Sequence, residues 1–178
     1  LPYLTEHFGN ASSTHRYGQR AKQAVEAARQ QIADLLGVTP TEVVILAGGT
    51  EGDNLAIRGI AEAHASHGKH LLTSEFEHSA VLNTCRFLES EGWEVTYLPV
   101  NSDGVIRVED VEKALRPETT LVSIMHVNNE IGTIQPLAEI GRLVLRGVQP
   151  GRGTFISILM RFSQLGRYRS MHGSLVLI

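Results

Sequence analysis

A chain of 178 residues with net charge −3, 42% hydrophobic and 20% charged residues is long enough to bury its own core and amounts to about one domain. That balance gives no general reason to bind nucleic acid or an anionic membrane, and no apolar run approaches the ~20 residues of a membrane span. One cysteine excludes an internal disulfide and fits a reducing, cytoplasmic setting. No signal peptide is visible, and Leu1-Pro2-Tyr3 lacks an initiator Met, so the true start is expected upstream.

In chain order, residues 16–36 predict a helix, with Ala21, Val25, Ala28, Ile32 and Leu35 at three- and four-residue spacing, Ser13 or Thr14 as N-cap and Gly37 closing its end. Val43–Leu46 predicts a short buried strand. Asp53–Ala65 predicts a helix, His70–Thr73 a strand, Ser79–Glu89 a helix and Glu94–Leu98 a strand after the Gly92 turn. Asn101-Ser102-Asp103-Gly104 reads as a turn, Val108–Leu115 as a helix, Thr120–His126 as a strand and Leu137–Leu143 as the start of another helix. Short apolar strands alternating with amphipathic helices imply an α/β fold, a mostly parallel sheet with helices on both faces. Ligands on such sheets sit beyond the carboxyl ends of the strands.

The character changes near residue 145. From Gly147 to Ile178 there is no Asp or Glu, and Arg146, Arg152, Arg161, Arg167 and Arg169 bias the segment basic. Ile156, Ile158, Leu159 and Phe162 do not suit a solvated basic arm, and Leu175-Val176-Leu177-Ile178 is an aggregation-prone end.

Three polar constellations stand where strands end. Gly48-Gly49-Thr50 follows the Val43–Leu46 run and precedes a helix, an arrangement that aims unpaired N–H groups and a helix dipole at one point, suited to a phosphate. It is neither a Walker loop nor a dinucleotide fingerprint; the alternative is a tight turn that needs glycine dihedrals. His78, in Ser74-Glu75-Phe76-Glu77-His78-Ser79-Ala80, can stack on an aromatic cofactor or exchange protons near neutral pH, or else it is a surface histidine in a helix-capping loop. Asn128 and Asn129, in His126-Val127-Asn128-Asn129-Glu130-Ile131-Gly132, offer donors and acceptors at a strand end, or a turn that asparagine tolerates. Together they converge on one rim and suit an aromatic phosphate ester. His64, His67 and His70 lead from helix to strand without a thiolate or carboxylate partner, so no metal is expected. Cys85 shares a helical face with Val81 and Leu88 and reads as core, and Trp93 and Tyr97 read as packing against the sheet.

In order and spacing these segments resemble the cysteine desulfurases of the NifS/IscS type, within the class V aminotransferase group of fold type I pyridoxal 5'-phosphate (PLP) enzymes. The resemblance covers about residues 1–142. It includes His7-Phe8-Gly9-Asn10-Ala11-Ser12-Ser13-Thr14-His15 (the family usually has Asn-Pro-Ser-Ser), the Gly-Gly-Thr-Glu and Glu-His-Ser-Ala segments, Leu-Pro-Val…Asp-Gly and Asn-Asn-Glu-Ile-Gly. It implies that Gly49 and Thr50 hold the PLP phosphate, that His78 stacks on the pyridine ring and assists proton transfer, and that Asn129 lies beside the 3-hydroxyl. It implies L-cysteine as substrate, with L-alanine and an enzyme persulfide as products. It also implies sulfur delivery to iron–sulfur scaffold or other acceptor proteins, and a homodimer.

The departures lie downstream. The family continues with a strand bearing an Asp for the pyridinium nitrogen and a Gln near the 3-hydroxyl, a Ser-x-His-Lys segment whose Lys forms the Schiff base, and a later acceptor cysteine. Nothing here matches them, and Cys85 is not at the acceptor position. With Ile156–Met171 read as codons and the bases regrouped in the shifted frame, degeneracy permits Phe-His-Thr-Asp-Ala-Val-Gln, two further residues, then Gly-Lys-Val-Pro-Ile-Asp. Residues 143–178 are therefore expected to be an off-frame tail behind a partial PLP domain, 1–142, inactive alone. Two alternatives remain open: a selenocysteine lyase or another class V aminotransferase-like enzyme, and a non-catalytic interaction protein that pairs with an intact homologue.

Overall fold

The computed structural model describes residues 2–147, 155–159 and 175–177, which fall into two compact units divided between Ile45 and Leu46. In the N-terminal unit, a one-turn helix α1 (Pro2–Thr5) precedes the long helix α2 (Arg16–Leu36). The N-cap of α2 is His15, not Ser13 or Thr14: its Nδ1 accepts from the Gly18 N–H at 3.3 Å. Asn10 has already drawn the serines into a turn, its Oδ1 accepting from Ser12 N–H and its carbonyl from Ser13 N–H. An unprotonated ring nitrogen then does the work of a capping hydroxyl. Gly18 is required by that turn, because a Cβ there would strike the Ser13 and Asn10 carbonyl oxygens. Gly37 closes α2 in the left-handed conformation, φ 69°, donating to Ala33 O. The expected apolar face is only partly covered: Ala21 is buried, whereas Val25, Ile32 and Leu35 are exposed.

The strand expected at Val43–Leu46 does not form. Val43 is extended (φ −99°, ψ 117°), but the Arg29 guanidinium takes its carbonyl, and Val44 and Ile45 are exposed. β-Branched residues favour extended backbone, yet a strand also needs a partner ladder, and none of the described strands pairs here.

The second unit carries α3 (Gly49–His64), β1 (His70–Ser74), α4 (Ser79–Ser90), β2 (Glu94–Leu98), α5 (Val108–Ala114), β3 (Thr119–Met125), α6 (Leu137–Gly147), β4 (Phe155–Leu159) and β5 (Leu175–Leu177). The strands lie in the order β2-β1-β3-β4-β5, every pairing parallel. β1 and β3 are buried along their whole length, as parallel strands covered on both faces must be. Leu71 and Leu121 face Ile57 and Ala61 of α3 and Val81, Cys85 and Leu88 of α4. One residue on, Leu72 and Val122 face the other way, to Val111 of α5 and Leu137 and Ile140 of α6. Trp93 belongs to the α3/α4 layer and Tyr97 packs at its margin.

Two features of this topology bear on where a ligand would sit. From β1 the chain steps out to β2, then returns across β1 to form β3, so the winding direction reverses between β1 and β3. At such a reversal the loops leaving the carboxyl ends diverge and open a crevice. Helix α3 ends at His64, a short connection before β1 begins, so it runs antiparallel to β1 and its first turn belongs to the carboxyl rim. α3 also starts one turn earlier than the expected Asp53, so the glycines are the start of the helix rather than a loop ahead of it.

Candidate cofactor site

Gly48 is the N-cap of α3, with Gly49 and Thr50 as its first helical residues. Gly48 has extended angles (φ 176°, ψ 172°), and neither Gly48 nor Gly49 is among the glycines with positive φ. A Cβ added at either would meet nothing within 4 Å. Neither backbone conformation nor internal packing therefore asks for glycine here. What remains is close approach from outside: bare backbone N–H groups of a helix's first turn, with no capping side chain, beneath open space. Such a cradle fits a phosphate. The Glu51 carboxylate folds back to accept from the Ala47 N–H at 2.7 Å, fixing the entry into the helix.

Across the crevice, His78 is the N-cap of α4 and half-buried, its Nδ1 accepting from the Ala80 N–H at 3.1 Å. That bond puts the proton of a neutral ring on Nε2. The capping and functional readings of His78 are thus compatible: the cap uses one nitrogen and leaves the other edge.

The loop after β3 is organised by Asn128, which is 6% exposed. Its Oδ1 accepts from the Glu130 and Ile131 N–H groups, and its Nδ2 donates to Phe76 O at 3.2 Å, joining this loop to the one that carries His78. Asn129 is exposed. The two asparagines therefore divide their work, the first holding the loop and the second facing outward. The turn after β2 joins the same rim. Gln135 donates to Gly104 O at 2.7 Å and accepts from the Ile106 N–H at 2.9 Å, and Thr133 donates to Asp103 O. Gly104, at φ 76°, needs its glycine, and a Cβ would press on Phe76 and Ile131.

Glu77, Asp53 and Gln135 were not singled out in the sequence. Glu77 is 7% exposed; its Oε1 accepts from Ser74 Oγ at 2.9 Å and from the Met125 N–H at 2.8 Å, while Oε2 has no hydrogen-bond partner. Burial, with the Asp53 carboxylate adding to it, pushes the Glu77 carboxyl up to about 7. β1 has ended at Ser74, and the turn that follows leaves Glu75 exposed and folds Glu77 inward beneath the rim, a placement that strand alternation does not predict, since Glu75 and Glu77 would then share a face.

Other candidates resolve differently. Cys85 is fully buried in the α3/α4 layer, and burial raises its thiol to about 12, so it is a core residue. His70 lies at the opposite, amino end of β1 with both ring nitrogens on threonine hydroxyls, apart from the His64–His67 ring pair. No group of His, Cys, Asp or Glu among the described residues could hold a metal. The chain has three lysines. Lys69 precedes β1 at the amino end and Lys113 lies in α5, so neither is at the carboxyl rim; Lys22 lies in α2 of the N-terminal unit. β4, the neighbour of β3, reads Phe-Ile-Ser-Ile-Leu and brings no carboxylate. Most of the expected off-frame tail, residues 148–154, 160–174 and 178, lies outside the described residues.

The aminotransferase class-V family pattern matches residues 1–148. The chain is 51% identical over 144 residues to a cysteine desulfurase of Homo sapiens, which covers 80% of this chain and 32% of that protein. It is 56% identical over 141 residues to the cysteine desulfurase IscS of Tolumonas auensis, 79% of this chain and 35% of that one. Among solved structures, a NifS-like protein aligns with a TM-score of 0.84 at 35% identity, covering 91% of this chain and 44% of its own. SspA in complex with cysteine aligns at 0.81 and 42% identity, covering 89% and 44%. The chain spans about a third of the length of these curated relatives.

Proposed function

We infer the function from one premise, that this chain belongs to the aminotransferase class-V family, whose cysteine desulfurases depend on pyridoxal 5'-phosphate. The reading is that the chain forms the phosphate- and ring-binding part of a PLP-dependent cysteine desulfurase that takes L-cysteine to L-alanine and passes sulfur on as a persulfide. The observation that carries it is the start of α3, where Gly48 and Gly49 serve neither backbone strain nor packing and leave first-turn N–H groups open. When bound, PLP supplies an electron sink for bonds at the substrate's α- and β-carbons.

This chain's residues have the remaining roles. The N–H groups of Gly49 and Thr50, with the Thr50 hydroxyl, hold the phosphate and favour its charge through the helix dipole. His78 presents its ring to the cofactor and holds a proton at Nε2. Asn129 offers its amide to the 3-hydroxyl. Asn128 and Gln135 fix the loops from which these groups reach. The covalent lysine, the carboxylate for the ring nitrogen and the sulfur-accepting cysteine have no counterpart among these residues, which supports a chain that is inactive alone. An off-frame origin of residues 143–178, a homodimer, transfer to iron–sulfur scaffold proteins and a cytoplasmic location belong to the same reading. No helix among the described residues is long and apolar enough to cross a membrane. Sequencing the coding DNA across residues 140–178 decides the frame.

Pyridoxine 5'-phosphate tests the site directly, because its alcohol cannot react with Lys22, Lys69 or Lys113. Calorimetric titration of the 178-residue chain should show saturable binding that Thr50→Ala weakens about tenfold, the worth of one charge-assisted hydrogen bond. Absence of binding, or equal affinity in the variant, removes the phosphate site from the α3 start.

A further inference from the structure

Beneath the rim, one buried side chain is hydrogen-bonded to the ends of two neighbouring strands. The Glu77 carboxyl meets the end of β1 through Ser74 Oγ and the end of β3 through the Met125 N–H, both on Oε1. These strands flank the point where the winding of the sheet reverses. The residue after Glu77 is His78, and three residues after Met125 comes Asn128, whose amide closes the same span at Phe76 O. On the α3 side, Asp53 is 3% exposed and its charge is felt at Glu77. Glu77 is thus hydrogen-bonded to the two strand ends that lead to His78 and Asn129, and it feels the charge of Asp53 on the helix that carries Thr50.

We propose that Glu77 is a positioning residue of the cofactor site, its Oε1 clamping the ends of β1 and β3 so that His78 and Asn129 are presented across one crevice of fixed width. The proposal deepens the reading given above and rests on it for the identity of the ligand. A purely structural carboxylate in this place is a poor choice, since a buried charge costs more than an apolar side chain of the same volume. Oε2 has no hydrogen-bond partner, and on the α3/α4 face of the sheet, in adjacent register, the Thr73 and Ser123 hydroxyls have none either. Native structures keep such a polar layer where it positions something. Burial holds the carboxyl near the midpoint of its titration at neutral pH, so the clamp exists in two protonation states. The titratable groups that face it are Asp53 from α3 and Cys85 from α4, with His78 next in sequence.

Two variants separate clamp from filler. Glu77→Gln keeps an Oε1 acceptor for Ser74 and Met125 and fixes the neutral state; Glu77→Leu keeps the volume and removes the acceptor. In ligand-free 1H–15N spectra of the whole chain, the Met125 amide should titrate with a midpoint near 7 in the wild type and lose that step in the Gln variant. In the Leu variant both the Met125 amide and the His78 ring signals should shift. With pyridoxine 5'-phosphate, Leu should weaken binding about tenfold or more, the cost of losing hydrogen bonds to a charged acceptor, while Gln stays within about threefold of the wild type. Wild-type affinity in a folded Leu variant, or equal losses in both variants, overturns the proposal. If the Leu variant does not fold, the Met125 step decides: its loss in Gln supports the clamp and its persistence overturns it. Failure of the wild type to bind the probe defeats the phosphate-site reading, and the ligand-free spectra still decide Glu77.

Discussion

At its amino end β1 carries His70, 1% exposed, with Nδ1 on Thr119 Oγ1 and Nε2 on Thr96 Oγ1, each at 2.8 Å. Just past its carboxyl end the chain carries Glu77, almost as deeply buried, with one oxygen doubly bonded and the other without a partner. The strand is the same and the burial nearly so, but one end is closed and the other is left with spare capacity. A closed buried polar group serves stability. An open one, in a crevice where loops diverge, is the kind that functional sites retain. The contrast also runs through their protonation. Burial lowers the His70 pKa below 6.5, with Arg116 adding to it, whereas burial raises Glu77 to about 7.

The strongest way to break the contrast is at the closed end. His70→Ala deletes a buried ring together with its hydrogen bonds to the Thr96 and Thr119 hydroxyls, so a loss of about 3 kcal/mol is expected in urea unfolding. Affinity for pyridoxine 5'-phosphate should stay within about twofold, because the far end of the strand is not part of the rim. His70 folds neutral, so the wild-type contribution is complete above about pH 6.5 and declines as pH falls below it. The variant should lose that acid sensitivity. A variant that lost affinity as severely as stability would merge the two ends into one cooperative site.

At the open end the sign is reversed. Glu77 binds its proton more tightly folded than unfolded, so its contribution is greatest below pH 4.5 and is lost as pH rises through about 7. The full swing is on the order of 3 kcal/mol. Glu77→Gln removes the titration. Relative to the wild type it should therefore gain stability as pH goes from 5 to 8, measured as the difference between two urea midpoints. A constant difference across that range would show that the carboxyl titrates normally and that the two ends are alike.

Much of this architecture was legible because periodicity reports burial. The parallel α/β layers, the helices on both faces and the core places of Cys85 and Trp93 follow from apolar spacing alone. The Val43–Leu46 strand failed because composition reports a preference for extended backbone, while a strand is a pairing with an edge that no local pattern encodes. The α3 start was placed one turn late because glycines count against helix interiors, yet Gly48 and Gly49 stand at the cap and first position, where that penalty is small. Glu77 was missed for the opposite reason: a charged residue in a loop reads as solvated, and only the register between β1 and β3 shows it to be enclosed. The division between Asn128 and Asn129 likewise depends on Phe76 O, fifty-two residues away.

The smallest perturbation tests the rim most cleanly. Gly49→Ala adds one methyl to the first turn of α3, where beyond the adjacent helix backbone an added Cβ meets nothing within 4 Å and φ is not positive. Stability should not fall, and a gain of a few tenths of a kcal/mol is expected, because alanine loses less backbone entropy than glycine on folding. Affinity for pyridoxine 5'-phosphate should nevertheless drop about tenfold, since the methyl occupies the approach to the helix N–H groups. The opposite pattern, lower stability with unchanged affinity, would make Gly49 a turn residue and return the α3 start to ordinary structure. Because the closed end of β1 is untouched in either case, the His70 acid sensitivity should be identical in this variant and the wild type, and comparing the two curves checks that only the open end was altered.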